Sequence, residues 1–215
     1  MNLSAVWEYR IVIIQGFLVT LQLSGLAIIC STLFGFLSGF FLSGPSRILR
    51  YPFKIYVEVF RGSPLLLQLF MIFFGFPYLG IPITLFQTAI FVFTLYGGAY
   101  IAEIVRSGIE SIPKGQFDAA ASIGLTYPQT MITVILPQAM RVSLPPLVGF
   151  YIGLIKDTSI ASVIGYMEVV KEGQAVINVT SRPFDVYIVI SILYFIICYP
   201  LSLFVTWIER KTQTL

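Results

Sequence analysis

Apolar residues gather along this chain in five long stretches, at roughly 13–42, 55–77, 84–107, 144–166 and 186–207. Each is long enough to supply the ~20 largely apolar residues that carry a helix across a bilayer. The breaks between them hold turn chemistry: Ser43-Gly44-Pro45, the segment from Pro77 to Pro82, Pro113-Lys114-Gly115 and Ser181-Arg182-Pro183. Proline and glycine punctuate because neither continues a regular hydrogen-bonded helix. The pattern predicts an all-α, five-helix integral membrane protein that forms a single transmembrane domain over residues 1–215. The stretch after Arg10 far exceeds the ~7–15 apolar residues of a signal sequence, so the first span is expected to be retained.

Polar positions orient these spans. Arg47, Arg50, Lys54, Arg106, Lys114, Arg141, Arg210 and Lys211 fall on one side, against Arg10, Lys171 and Arg182 on the other. Cytoplasmic loops carry the excess of Lys and Arg. The N-terminus is therefore expected outside, the C-terminus inside, and the segment between spans three and four in the cytoplasm.

Composition narrows the function classes. Of 215 residues, 57% are hydrophobic and 11% charged, and the mean hydropathy is +0.90. A soluble domain carries about a quarter charged residues, so lipid is the expected solvent. The net charge of +3 is too small and dispersed for nucleic-acid binding. There is no histidine, which removes the commonest catalytic base and metal ligand. Cys30 and Cys198 lie singly in apolar runs and read as small buried residues.

Small residues recur four apart in the first span, at Ala27, Ser31, Gly35, Gly39 and Ser43, and again at Gly149 and Gly153. Such ladders let helices approach closely in lipid, within one chain or between subunits. An odd number of spans does not divide into the two matched repeats of many secondary transporters. Five helices are also few for enclosing a solute pathway, so two such subunits are expected to face each other.

Residues 111–137 carry the most specific signal. Asp118 to Ile123 reads as a short, alanine-rich helix preceded by Pro113 and Gly115 and ended by Gly124, a residue suited to a helix C-terminus. So short a helix is not stable alone in water and is expected to dock on another protein through Phe117, Ile123 and Leu125. The segment resembles the EAA loop of bacterial ATP-binding-cassette (ABC) importer permeases, Glu-Ala-Ala-x3-Gly-x9-Ile-x-Leu-Pro. Here the pattern reads Asp118-Ala119-Ala120, Gly124, Val134, Leu136 and Pro137. Three further segments resemble the polar amino acid branch of that family, which includes histidine, glutamine and arginine importers: Glu58-Val-Phe-Arg61-Gly-Ser-Pro64-Leu-Leu-Leu-Gln68, Gly98-Ala-Tyr-Ile-Ala-Glu103-Ile-Val-Arg106 and Lys156-Asp157-Thr158-Ser159.

The resemblance implies a permease of the cytoplasmic (inner) membrane that carries polar amino acids, basic ones such as arginine, lysine or histidine among them. It implies an external substrate-binding protein, a second permease copy or homologue, and an ATPase dimer that seats Phe117, Asp118, Ala119, Ala120, Ile123, Gly124 and Leu125. No Gly-x4-Gly-Lys-Ser/Thr phosphate loop occurs in the sequence. The chain is expected to be no enzyme and to hold no cofactor, with ATP and Mg²⁺ bound by the partner ATPase.

Ionisable residues in spans usually face a bundle interior or a water-filled cavity. Glu58 and Arg61, three apart, form a pair or a gate. Glu103 meets either a cationic group of the substrate or Arg106. Lys156 and Asp157 serve structure or gating, with Thr158 and Ser159 placed to satisfy backbone groups if the helix breaks there. Gln68, Thr94, Asn178 and Arg182 add polarity for substrate, although the last two also suit a solvated loop that meets a binding protein. The rival function is a stand-alone proton-coupled carrier or channel, in which Glu103, Lys156 and Asp157 form a relay.

Overall fold

A computed structural model describes residues 3–213, with the side chains of residues 1–5 and 211–215 outside the described part, Lys211 among them. Every element among the described residues is helical. After the short α1 (Leu3–Glu8) come α2 (Arg10–Ser43), α3 (Arg47–Gly62), α4 (Leu65–Tyr78), α5 (Leu85–Glu110) and α6 (Lys114–Ser122). The chain continues through α7 (Tyr127–Thr130), α8 (Leu136–Asp157), α9 (Val169–Thr180) and α10 (Pro183–Gln213).

Four helical runs are long and apolar enough to cross a membrane: α2, α5, Tyr127–Ile164 and α10. The remaining apolar stretch, 55–77, is not the single helix its hydropathy suggests. It is the pair α3 and α4, bent by 108°. Gly62-Ser63-Pro64 causes the break, because proline lacks an N–H and forces its predecessor out of the helical region. Ser63 is accordingly extended at φ −120° and ψ 147°. The Gln68 amide then donates to the freed carbonyls of Phe60 at 2.8 Å and Ser63 at 3.0 Å.

The fourth run starts well before the expected residue 144. A capping box between Thr126 and Gln129 starts α7, a π-helical turn at Met131–Ile135 follows, and α8 continues from it. At Asp157 the run tightens into a 3-10 helix, Thr158–Ile164, which ends on left-handed Gly165. Thr158 Oγ1 donates to the Ile155 carbonyl and Ser159 Oγ to that of Lys156, each at 2.7 Å. The hydroxyls thus serve the change of helix type as their position suggested.

The centre of the fold is the α2–α5 crossing. A Cβ added at Gly35 would stand 2.6 Å from Ile101 Cβ and 3.0 Å from the Gly98 carbonyl. One added at Gly39 would stand 2.8 Å from Val105 Cβ. The first ladder therefore packs within the chain, as dispersion between close backbones requires in lipid. Gly149 and Gly153 differ, since nothing lies within 4 Å of a Cβ at either.

Helix α9, just before α10, was not apparent from the sequence. Its first turn is held by Glu168, whose Oε1 accepts from Val170 N at 2.8 Å and Lys171 N at 2.9 Å. Helix α10 is the most open of the four long spans: only 6% of its most apolar window is buried within this chain, which leaves the rest to lipid or to another subunit.

Candidate coupling helix and charged cleft

Helix α6 connects the end of α5 to the start of the fourth run. It begins at Lys114, one turn earlier than its alanines imply, because Pro113 sets the entry. Its end is a Schellman arrangement: Leu125 N donates to the Ala120 carbonyl at 3.1 Å and Gly124 N to that of Ala121 at 3.0 Å. Gly124 sits at φ +83°, a conformation that side chains with a Cβ adopt only with strain.

The inner side of α6 anchors it. Phe117 packs against the cluster of Ile109, Ile112, Met131 and Ile135, and Ala120 is buried. Asp118 and Ala119 are exposed, and so is Ile123, at 77%. The open side of α6 therefore presents a large apolar side chain beside a slim alanine. Of the residues expected to couple, Phe117, Ala120 and the half-buried Leu125 hold the helix in place, while Asp118, Ala119, Ile123 and Gly124 lie on the open side.

The charged residues of α3 and α5 converge on a cleft of about 370 Å³. Arg106 grips Glu103 with two hydrogen bonds, Nε at 2.9 Å and Nη2 at 2.7 Å. Arg61 reaches the same carboxylate from α3 at 3.5 Å, and Arg106 also pairs with Glu110. The result is a ladder, Arg61–Glu103–Arg106–Glu110, which ties α3 to the stretch of α5 just before α6. Glu58 does not pair with Arg61; it meets Lys54 at 3.6 Å, with both side chains exposed.

Above the ladder runs an aromatic wall. The Arg61 guanidinium lies 5.5 Å from the Tyr100 ring centre. Tyr100 stacks on Phe150 at 5.3 Å and tilts against Tyr96 at 4.8 Å. Asp157 lies close enough to Tyr96 to act on it electrostatically, so an acid stands at one end of the wall and a cation at the other. Lys156 is exposed on α8.

The remaining candidates do not join this site. The Gln68 amide serves the α3–α4 break, although its Oε1 is buried without a partner. Thr94 lines a separate, apolar hollow with Cys30 and Phe91. Asn178 is exposed on α9, and Arg182 pairs with Asp185 at 3.5 Å. Glu168, fully buried at 0% exposure, was missed. Glutamate is not a favoured N-cap residue, so nothing local marked it.

Comparison with known proteins places these features in a family. The model of the binding-protein-dependent transport system inner membrane component matches residues 31–214. The L-cystine transport system permease protein TcyB of Bacillus subtilis is 41% identical over 200 residues, which are 91% of this chain and 84% of that one. The probable glutamine ABC transporter permease protein GlnM of the same organism is 35% identical over 213 residues, 99% of each chain. The crystal structure of an amino acid ABC transporter with histidines superposes with a TM-score of 0.91 at 32% identity, covering 98% of this chain and 99% of that one. This multi-pass membrane chain belongs to the family of binding-protein-dependent transport system inner membrane components, the permease subunits of ABC transporters.

Proposed function

We propose that the chain is the translocation subunit of an importer of polar amino acids in the cytoplasmic membrane. An ATPase dimer, which binds ATP and Mg²⁺, drives alternating access from the inside, and an external binding protein delivers the solute. The observation that carries this reading is α6, a helix anchored on one side and left open on the other. Its position on the inner side follows from the excess of Lys and Arg there, with the N-terminus outside and the C-terminus inside.

The amino acid class rests on the relatives, whose names speak of cystine and glutamine, and on the wall between Asp157 and Arg61. A zwitterion presents an ammonium and a carboxylate, which match an acid and a guanidinium in turn. Glu103 is occupied by two guanidiniums and offers no free acid to a basic side chain. That favours an uncharged polar side chain over arginine or lysine.

A second copy, or a close homologue, completes the path. Gly149, Gly153 and Lys156 fall at helical spacing on α8. A bare backbone stripe beside a charged side chain is a poor surface for lipid and a good one for another subunit or an aqueous channel.

Replacing Gly124 with valine tests the coupling role. A β-branched residue at φ +83° strains the backbone by about 1–2 kcal/mol and turns bulk toward the open face. ATP-dependent uptake by the reconstituted complex is expected to fall at least roughly tenfold, together with ATPase association, while the permease still inserts. Full uptake and association in this variant would refute the coupling role. Full uptake with no nucleotide-hydrolysing subunit present would refute the importer itself.

A further inference from the structure

Helix α3 has three faces, and only one of them packs within the chain. Phe53, Tyr56, Val57 and Phe60 lie against Leu42 on α2 and against Ala99 and Ala102 on α5. Arg47, Arg50, Lys54, Glu58 and Arg61 recur at spacings of three and four, which makes them a single charged stripe. Ile48, Tyr51, Ile55 and Val59 form a third, apolar face, and all four are exposed, Ile48 at 84%.

The contacts with α5 show how this helix lies. On the side of α3 away from the stripe, the Tyr56 hydroxyl donates to the Leu95 carbonyl, toward the start of α5. On the stripe itself, Arg61 meets Glu103, and Arg50 and Lys54 line the charged cleft with Arg106 and Glu110, toward the end of α5. Opposite faces of α3 thus meet successive levels of α5, so α3 crosses α5 instead of running beside it. α4 then turns away by 108°. Residues 65–83 carry no charge and are long enough to complete the span without α3.

Such a helix fits the boundary between hydrocarbon and water, where amphipathic helices with a basic polar face lie in the membrane plane. Its stripe then faces the cytoplasm. The position also relieves a cost: Glu103, Arg106 and Glu110 stand at the level of α3 or beyond it, among headgroups and water, where charges are far cheaper than in hydrocarbon. The stripe has positive charge to spare. Lys54 is engaged by Glu58 and Arg61 by Glu103. Arg47 and Arg50, one turn apart, have no ion pair among the described residues, and both are exposed.

We propose that α3 is an in-plane helix of the inner leaflet, in which Arg47 and Arg50 bind the phosphate of an anionic phospholipid whose acyl chains cover Ile48, Ile55 and Val59. Guanidiniums suit phosphate because they offer it paired hydrogen bonds, and the anionic inner leaflet attracts basic segments at its surface. A soluble anion would meet the arginines but leave the apolar face bare, whereas a phospholipid covers both.

The choice of leaflet rests on the orientation proposed above, and the test separates the two. Nitroxide labels at Ile48→Cys, Ile55→Cys and Val59→Cys, in a background of Cys30→Ala and Cys198→Ala, report depth in the intact complex in vesicles. An in-plane helix puts all three at one depth. A spanning helix deepens by about 1.5 Å per residue, or about 16 Å from Ile48 to Val59, and a steady deepening of that kind overturns the in-plane helix. In nanodiscs of mixed phosphatidylglycerol and phosphatidylcholine, mass spectrometry of the complex is expected to show phosphatidylglycerol preferentially retained. Arg47→Gln with Arg50→Gln should lower that preference roughly thirtyfold, and Arg47→Lys with Arg50→Lys should keep most of it. An unchanged preference in the glutamine variant overturns the phosphate site. Should that variant fail to assemble, the parent decides, because a complex indifferent to headgroup charge overturns the site as well. Efficient crosslinking of Arg47→Cys to the ATPase or to a second permease copy would give the stripe to a protein and overturn the lipid. A membrane-impermeant thiol reagent should reach Arg47→Cys in inverted vesicles and not in intact cells. The reverse would refute the orientation and the leaflet with it, while the headgroup preference still decides the site.

Discussion

Gly35→Leu is expected to leave almost no assembled permease in the membrane, whereas Gly149→Leu should leave the fold of the single chain intact. Both replace a glycine in a small-residue ladder on an apolar helix, but the surroundings differ. At Gly35 even the first carbon would stand 2.6 Å from Ile101 Cβ and 3.0 Å from a backbone carbonyl. The carbonyl belongs to α5 and moves only if the whole helix moves. Overpacking a filled core costs about 1–3 kcal/mol, and more where backbone must shift. Lost dispersion along the rest of the crossing adds to that. At Gly149 the space is open. Thermal unfolding of detergent-purified protein checks the pair, and Ile101→Ala supplies a control. Combined with Gly35→Ala, it removes the side chain in the way and should restore part of the lost stability. Equal melting of Gly35→Leu and the parent would refute the close α2–α5 crossing.

Much of this architecture could be read from the residues, because lipid simplifies the code. A stretch such as 186–207 has one viable conformation in hydrocarbon, where every backbone group must bond within its own helix. The helix end at Gly124 was equally readable, since its backbone angle needs a residue without Cβ. The sequence resolved less where two rules competed. Hydropathy made one span of 55–77, and Pro64 in its middle was overridden; the structure obeys the proline, because Gln68 is placed to take the carbonyls it frees. The two small-residue ladders look alike in sequence, and only packing tells the buried one from the open one. Glu168 was hidden for a different reason. Its importance comes from Thr20, 148 residues away, and no local pattern encodes that meeting. The polar candidates divide likewise: Arg182 and Gln68 serve neighbours near in sequence, while the Arg61–Glu103 contact joins two helices.

That contact underlies the second large effect. Glu103→Gln is expected to slow uptake of every transported amino acid by a similar factor, roughly tenfold, without reordering preference among them. The carboxylate holds two guanidiniums, Arg106 through two hydrogen bonds and Arg61 at 3.5 Å. Hydrogen bonds to charged groups contribute about 1.5–3 kcal/mol. With the Glu103 side chain 25% exposed and that of Arg61 40% exposed, solvent screens part of this, which leaves about 1.4 kcal/mol, or one factor of ten. An amide still accepts from Arg106, and Glu110 still pairs with it. Arg61 has no second ion pair among the described residues, so the link from α3 to α5 is the one that fails. Were Glu103 a substrate ligand instead, its loss would act through KM and would strike substrates unequally, since their side chains would meet the site differently. A ladder that transmits motion acts on kcat and is blind to the side chain carried. A cycle of Arg61→Gln, Glu103→Gln and the double variant separates these cases further. Coupled helices predict that the double variant is no slower than Glu103→Gln alone, because each single change already breaks the same link. Additive losses, or a change in substrate preference with Glu103→Gln, would return Glu103 to the binding site.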